Sequence, residues 1–211
     1  RTVAARLTGA PLRLTPARRA LGDVELGGAF TYSRVPEGLS GVLGRAVSGD
    51  NFFAPVYVHG PRLRLGTELR WTPGPFSIKS EYIRVREERR GQGIFGDDLP
   101  AVISRGWYVS ATWAITGEKK EGGIEPQKDF VLGGGPGAVE LAARYEHAGF
   151  SGRPYPDPPL RHPRAPNVLG NSDRLWTLGV NWYLNRYVKI QFNGVREKIV
   201  DTQRSPVPGE E

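Results

Sequence analysis

Residues 63–71 have the sequence Leu63-Arg64-Leu65-Gly66-Thr67-Glu68-Leu69-Arg70-Trp71. Every odd position holds an apolar residue or Thr, and every even position holds Arg, Glu or Gly. A period of two places these two sets of side chains on opposite faces of a β-strand. The segment therefore predicts a strand with one apolar and one charged face, not an amphipathic helix.

The same alternation predicts strands elsewhere in the chain, about eight in total, several of them ten or more residues long. Soluble strands average about 5–6 residues, whereas a tilted membrane strand needs about 9–11. The pattern thus favours an all-β, antiparallel transmembrane barrel over a soluble sandwich. The apolar phase shifts between Tyr82 and Ile83, which we interpret as a β-bulge or as a change of environment beyond the membrane. The other predicted strands are residues 2–8, 24–35, 76–85, 107–116, 139–146, 176–184 and 188–193.

The connections between these strands differ in length. Residues 72–75 and 184–187 form tight turns rich in Pro, Gly and Asn, whereas residues 36–60, 87–104 and 151–172 form long loops. Outer-membrane barrels alternate short periplasmic turns with long external loops. Residues 117–138 depart from this rule, since the segment is long but falls on the side of the tight turns.

Composition narrows the classes of function. The 211 residues carry a formal net charge of +7 and contain no Cys, so disulfides, thiolate metal sites and Cys nucleophiles are excluded. No run of 18 apolar residues occurs, so no helix is predicted to cross a membrane. Residues 1–211 are expected to form a single β-barrel domain.

Charged and aromatic side chains on the predicted strands supply the candidate site residues. Cations on the polar phase are predicted to line a wet lumen, either free or paired within the wall, with Glu68 proposed for Arg70 and Glu140 for Arg144. Aromatic residues near strand ends are predicted to lie at the membrane interfaces. The pore-lining candidates are Arg64, Arg70, Lys79, Arg144 and Lys189; the interface candidates are Trp71, Trp107, Tyr145, Trp176, Trp182, Tyr183 and Tyr187; the lipid-facing candidates are Leu65, Leu69, Val109, Trp113, Leu141, Leu178, Val180 and Ile190.

Motifs for other chemistry are weak. Residues 133–137 are glycine-rich, but they lack the Lys-Ser/Thr ending of a phosphate loop and precede a strand pattern. His59, His147 and His162 have no metal-like spacing, and no Gly-x-Ser-x-Gly elbow occurs. The basic residues are dispersed, and the run at 87–90 is a solvated strand top, so no nucleic-acid partner is predicted. We expect neither an enzyme nor a metal or other cofactor.

Three segments resemble the phosphate-selective porin O and P family. They are residues 106–118 (Gly-Trp-Tyr-Val-Ser-Ala-Thr-Trp-Ala-Ile-Thr-Gly-Glu), residues 137–145 (Gly-Ala-Val-Glu-Leu-Ala-Ala-Arg-Tyr) and residues 176–185 (Trp-Thr-Leu-Gly-Val-Asn-Trp-Tyr-Leu-Asn). Their order and spacing are similar to the family's, including the long stretch between the first two. The resemblance covers roughly residues 105–200.

The resemblance implies a barrel of about 16 strands in the bacterial outer membrane, usually trimeric, that passes small anions such as phosphate. Its partners are then outer-membrane lipid and lipopolysaccharide, small anions, and further copies or a larger outer-membrane complex. Two alternatives stay open. One is a scaffolding barrel within an outer-membrane complex, and the other is a soluble ligand-binding β-barrel.

Strand parity adds an expectation about completeness. If the tight turns are periplasmic, residues 201–211 lie outside the cell and lack the aromatic end of a barrel protein. We expect about seven strands before Arg1 and one after Glu211, in a chain incomplete at both ends, because open edges in lipid leave backbone groups unpaired.

Overall fold

The structure is a computed structural model that describes residues 1–17, 21–53, 55–93, 95–120, 122–130, 134–153 and 170–201. Its strands are antiparallel throughout the main sheet, as the alternating sequence predicts. Ten strands are present in this part of the chain. They are β1 (Thr2–Gly9), β2 (Glu25–Leu39), β3 (Gly44–Arg45), β4 (Asn51–Phe53), β5 (Tyr57–Trp71), β6 (Phe76–Arg89), β7 (Leu99–Ala114), β8 (Ala138–Ser151), β9 (Asn171–Tyr183) and β10 (Lys189–Val200).

Eight of these strands form one sheet in the order β1-β2-β5-β6-β7-β8-β9-β10. Each predicted strand segment lies within or overlaps one of the eight. In the described residues, β1 and β10 each have one neighbour and are not paired with each other, so the sheet is open. A short 3-10 turn, Pro11–Leu14, lies between β1 and β2. No helix in the described ranges is long and apolar enough to cross a membrane.

The connections fall on two ends of the sheet. At the end that we call the turn end, β5 joins β6 through residues 72–75 and β9 joins β10 through residues 184–188. The long segment between β7 and β8 lies at this end as well. At the opposite, loop end, β6 joins β7 and β8 joins β9, the latter mostly outside the described residues. The tight turns thus lie at one end and long connections at the other, as the sequence predicts, but two long connections lie at the turn end. One is the β7–β8 segment, which the sequence also identified, and the other is residues 10–24 between β1 and β2.

The register shows that the strands are inclined. Trp71 and Ile78 are the last pair before the β5–β6 turn, and the row through them crosses β7 and β8 to reach Leu178 on β9. The last pair before the β9–β10 turn is Tyr183 with Lys189. Tyr183 lies five residues beyond Leu178 along β9, and β9 is the fourth strand from β5 in the sheet. At about 3.3 Å per residue and about 4.8 Å between strands, this offset means that the strands are inclined by about 40° to the perpendicular of the line joining the two turns.

The connection between β2 and β5 folds back as a hairpin, β3–β4, over one face of the main sheet at the loop end. Phe52 and Phe53 contact Phe150 of β8, with ring centroids 5.8 and 4.0 Å apart. The buried cluster also contains Val58, Val102 and Ile199 of the sheet and Ala46 and Val56 of the connection. The sequence predicted only a long loop here and did not predict that part of it forms a hairpin packed on the sheet.

The predicted bulge near Tyr82 and Ile83 is wrong. The register of β6 against β7 runs without a break from Phe76 to Glu87, and it shifts only between Glu87 and Arg89. The apolar residues change face because the environment changes: Val85 is buried on the face that the hairpin covers. The alternative interpretation, a change of environment beyond the membrane, stays a prediction.

Candidate pore-lining face

The two faces of the main sheet differ in chemistry. Residues directly opposite each other on neighbouring strands lie on the same face, so the register determines the face on which each side chain lies. All eight lipid-facing candidates lie on one face, which we call the apolar face, and each of them is at least 36% exposed. The other face, which we call the charged face, is the one that the β3–β4 hairpin partly covers. No layer covers the apolar face in the described part of the chain.

The five pore-lining candidates all lie on the charged face. Arg70 is opposite Lys79, and the same row continues through Ser110 to Arg144. The next row towards the loop end is acidic, since Glu68 is opposite Glu81. Arg64 lies further towards the loop end on β5, and Lys189 lies at the turn end of β10.

The acidic row continues across the sheet through Tyr108 to Glu146 and, beyond Leu175, to Glu197. A basic and an acidic row therefore run side by side on the charged face. The cations were predicted from the sequence, but the two rows were not, because the rows depend on the register between strands.

Two of the cations are paired, but not with the predicted partners. Arg70 Nη1 lies 3.8 Å from Glu25 Oε2, and both side chains are more than half exposed. Arg144 Nη2 lies 2.7 Å from Glu146 Oε1, two residues along the same strand. The predicted pairs Arg70–Glu68 and Arg144–Glu140 are wrong because other cations occupy those carboxylates.

Those other cations are Arg6 and Lys120. Arg6 of β1 reaches across β2 to Glu68, at 2.5 Å. The Glu68 side chain lies over Gly27, where an added Cβ would be 2.3 Å from Glu68 Oε1, so the absence of a side chain at Gly27 makes the pair possible. A cleft of about 600 Å³ beside this pair is lined by Arg6, Glu68, Arg70, Lys79 and Glu81.

Several charged-face groups form no ion pair within the described ranges, among them Arg64, Lys79 and Glu81. Lys189 lies with its Nζ 5.7 Å from the centroid of the Tyr183 ring. An unpaired charge interacts with a passing ion more strongly than one that a counter-charge neutralises. These groups are therefore the part of the face most able to act on a diffusing ion.

The long segment between β7 and β8 folds over the turn end of the charged face. Lys120 and Glu140 form an ion pair of 2.7 Å whose side chains are 7% and 8% exposed. Asn181 Nδ2 and Tyr183 Oη donate to the second carboxylate oxygen of Glu140, at 2.7 and 3.1 Å. The backbone N–H of Lys120 donates to the carbonyl of Gly74 in the neighbouring turn. No sequence signal beyond the length of the segment indicated this cluster.

The hairpin is held over the loop end of the same face by polar contacts. The backbone N–H of Val47 donates to Glu197 Oε1 at 2.8 Å, and Asn171 Nδ2 donates to the carbonyl of Phe52 at 2.5 Å. At the base of the connection, Ser40 Oγ donates to Glu87 at 2.6 Å. Both ends of the charged face are thus partly covered, while the middle remains open.

The interface candidates separate into two levels on the apolar face. Trp107, Tyr145 and Trp176 are neighbours towards the loop end. The ring centroid of Tyr145 lies 5.2 Å from that of Trp107 and 4.5 Å from that of Trp176. Trp71 and Trp182 lie at the turn end, where Trp182 contacts Phe130 and donates to the carbonyl of Pro136. Tyr183 lies beside Trp182 but on the charged face, and Tyr187 lies in the β9–β10 turn and is 78% exposed.

The remaining motifs gain no chemistry from the fold. Gly133 and His162 lie outside the described residues. Gly134 and Gly137 have positive φ angles, and the segment leads into strand β8, not into a helix. His147 is on the apolar face beside Trp107. The described chain contains no group of three His, Asp or Glu residues positioned to hold a metal ion.

Comparison with known proteins supports a single family. A family model described as phosphate-selective porin O and P matches residues 49–208, well over half of the chain. Porin O of Pseudomonas aeruginosa is 29% identical over 137 residues, which are 63% of this chain and 29% of Porin O. The chain thus corresponds to less than a third of the length of this curated relative.

Proposed function

Because the chain belongs to the phosphate-selective porin O and P family, we propose that it forms part of an outer-membrane β-barrel through which small anions diffuse passively. The observation that carries the proposal is the contrast between the two faces of one sheet. One face is apolar and uncovered, and the other carries the charged groups and the inward-folded segments. The family is one of channels, not of enzymes.

The membrane-spanning arrangement is supported by dimensions. The eight main strands have 8 to 16 residues, and seven of them have 12 or more. Their inclination of about 40° is within the range of about 35–45° for membrane barrels. The two aromatic levels flank an apolar band, as expected where a barrel passes between two lipid interfaces. A soluble ligand-binding barrel would instead enclose its apolar side chains.

The anion preference is supported by the cations of the charged face. An anion that enters a lumen loses part of its hydration, and a nearby cation lowers that electrostatic barrier. Arg64 and Lys79 are the strongest candidates because neither forms an ion pair with a carboxylate in the described residues. Phosphate is the solute that the family's description names, and we propose it as one solute of this porin.

Assembly and the scaffolding alternative follow from the same geometry. We propose that β1 and β10 pair with further strands, because an open edge in lipid leaves backbone groups unpaired, and that the closed barrel forms trimers. A scaffolding role has one observation in its favour: inward-folded segments partly cover both ends of the charged face. If they plug the lumen, the barrel does not conduct.

The test is planar-bilayer recording of the full-length protein in a salt gradient. We expect a reversal potential on the anion-selective side. Arg64→Gln with Lys79→Gln should move it towards the cation-selective side, because two unpaired lumen cations are lost. Arg34→Gln with Arg86→Gln removes the same charge from the apolar face and is the matched control.

Three outcomes contradict the proposal. Cation selectivity of the unmodified protein contradicts the preference for anions. An equal shift in the control pair contradicts the assignment of Arg64 and Lys79 to the lumen. Absence of conductance from a correctly folded barrel favours the scaffold. Competition of phosphate with chloride current, measured in the same bilayers, tests the solute separately.

A further inference from the structure

On strands β6 to β10, five basic side chains without an ion-pair partner in the described residues lie on the apolar face of the sheet, close to its loop end. Arg86 lies on this face as well, but it is paired with Glu88. The five unpaired side chains occur on four of the five strands from β6 to β10, and the remaining strand, β8, carries His147 at the corresponding level. All but Arg84 are exposed, and Arg84 is partly exposed. We call this set the basic belt: Arg84, Arg105, Arg174, Arg196 and Lys198.

The register brings like charges together in the basic belt. Arg84 is directly opposite Arg105, and Arg174 is directly opposite Lys198. Like charges directly opposite each other on a sheet are destabilising. No carboxylate lies within ion-pair distance of any belt residue in the described part of the chain. Among the residues that the structure describes, no side chain therefore supplies the compensating negative charge.

Acidic residues are close in sequence but project the other way. Asp173 precedes Arg174, and Glu197 lies between Arg196 and Lys198. The strand pleat places both acids on the charged face. Glu88 is the one acidic strand residue of β6–β10 on the apolar face in the described ranges, and it is bonded to Arg86 at 2.8 Å.

The basic belt follows the loop-end level of aromatic side chains. Arg84, Arg105 and Arg174 each lie two residues beyond an aromatic residue, towards the loop end of the strand. Two residues of strand correspond to about 6–7 Å. Because aromatic side chains mark the membrane interface, this spacing places the guanidinium groups at the level of the lipid headgroups. The aromatic partners are Tyr82, Trp107 and Trp176.

We propose that the basic belt binds the phosphate groups of lipids in the leaflet at the loop end, which in a bacterial outer membrane are those of lipopolysaccharide. The inference rests on the proposed function, because it needs the apolar face to meet lipid. Guanidinium groups make bidentate, charge-assisted hydrogen bonds to phosphate. A lipid with several phosphates matches a row of cations that lack carboxylate partners.

The test measures binding of lipopolysaccharide to the full-length protein in detergent. The triple variant Arg105→Gln, Arg174→Gln and Lys198→Gln should bind about tenfold or more weakly, because three charge-assisted contacts are lost. The charge-matched control is Arg64→Gln, Arg70→Gln and Lys79→Gln on the charged face, which should bind as the unmodified protein does. Dephosphorylated lipopolysaccharide should bind the unmodified protein as weakly as the triple variant binds the native lipid.

Several results would overturn the proposal. Equal binding by the triple variant and the control excludes the belt, and equal binding of the dephosphorylated lipid excludes phosphate recognition. Displacement of the lipid by millimolar inorganic phosphate would identify a site for the free anion instead. Folding of each variant is checked by its heat-dependent gel mobility, and the single variant Arg174→Gln replaces the triple variant if that fails to fold.

Conductance separates this proposal from the proposed function. If the unmodified protein conducts anions but the triple variant keeps its lipid affinity, only the basic belt is refuted. If the unmodified protein does not conduct while lipid binding depends on the belt, the porin function fails and the membrane-facing assignment remains.

Discussion

At the scale of single residues, the strand pleat decides what each charge can do. Asp173 and Arg174 are neighbours in the chain but lie on opposite faces, so one belongs to the charged face and the other to the basic belt of the apolar face. On the charged face, most carboxylates are taken up by cations, as Glu68 is by Arg6. Glu81 is an exception in the described residues, and it lies next to Lys79 on the same face.

Removal of the Glu81 charge should increase anion preference. In Glu81→Gln the positive potential of Lys79 is no longer offset by a carboxylate two residues away, so the barrier to anions falls. The reversal potential in planar bilayers should shift further to the anion-selective side. Glu88→Gln, which removes the same charge from the apolar face, should cause a much smaller shift. An equal response of the two variants would contradict the face assignment.

The membrane-facing role that we propose for the apolar face predicts what a charge placed on that face costs in stability. Leu178 is 63% exposed and lies between the two aromatic levels. Leu178→Arg should lower the free energy of unfolding by about 2–4 kcal/mol, the cost of Arg near the bilayer midplane. Urea unfolding in lipid vesicles measures this. Leu14→Arg, in the short turn outside the strands, should cost little, and a similar loss at both positions would count against a lipid contact at Leu178.

At the scale of elements, the β3–β4 hairpin is expected to narrow the lumen. Phe150→Ala removes the ring on which Phe53 stacks and which Phe52 contacts. Loss of a packed Phe costs about 3–5 kcal/mol, so the hairpin should detach. Single-channel conductance should rise and proteolysis within residues 40–56 should accelerate. Phe30→Ala on the apolar face is the control, and unchanged conductance in Phe150→Ala would show that the hairpin does not obstruct the ion path.

The segment between β7 and β8 predicts a stability effect. Lys120→Ala leaves the buried carboxylate of Glu140 without its cation, which costs about 3–5 kcal/mol when one partner of a buried pair is removed. Lys120→Met with Glu140→Gln should recover part of that loss, since no buried charge remains and the Gln carbonyl can still accept from Asn181 and Tyr183. Unfolding in urea measures both, with the exposed Lys119→Ala as control. A small loss in Lys120→Ala would show that the pair does not hold the segment.

The alternating residues determined the strands and their faces, because side-chain direction in a strand depends only on position. Every cation predicted for the polar phase lies on the charged face for this reason. The partners of Arg70 and Arg144 could not be predicted, since they depend on the register between strands. They also depend on Lys120, which lies in the segment between β7 and β8 and pairs with Glu140, the predicted partner of Arg144. The packing of the hairpin on the sheet could not be predicted either, because it depends on contacts between Phe53 and Phe150, which are far apart in sequence.

At the scale of the whole molecule, the eight-stranded sheet is open in the described residues, and we propose that further strands close it into a barrel. The offset of five residues over four strand steps corresponds to 20 residues of shear for a barrel of about 16 strands. The strand count expected from the family resemblance stays a prediction. Electron cryomicroscopy of the full-length protein should show β1 and β10 each paired with a further strand, and a barrel in which β1 pairs with β10 would contradict it.

The central claim is that one face of this sheet meets lipid and the other meets water. The chain contains no Cys, so single cysteines can be introduced without removing others from it. Ala142→Cys and Thr177→Cys lie on the charged face, and Ala143→Cys and Leu178→Cys lie beside them on the apolar face. In the full-length protein reconstituted in vesicles, the first pair should react with a charged, water-soluble thiol reagent and the second pair with a lipid-soluble one. The reverse pattern, or equal labelling of all four by the water-soluble reagent, would contradict the account.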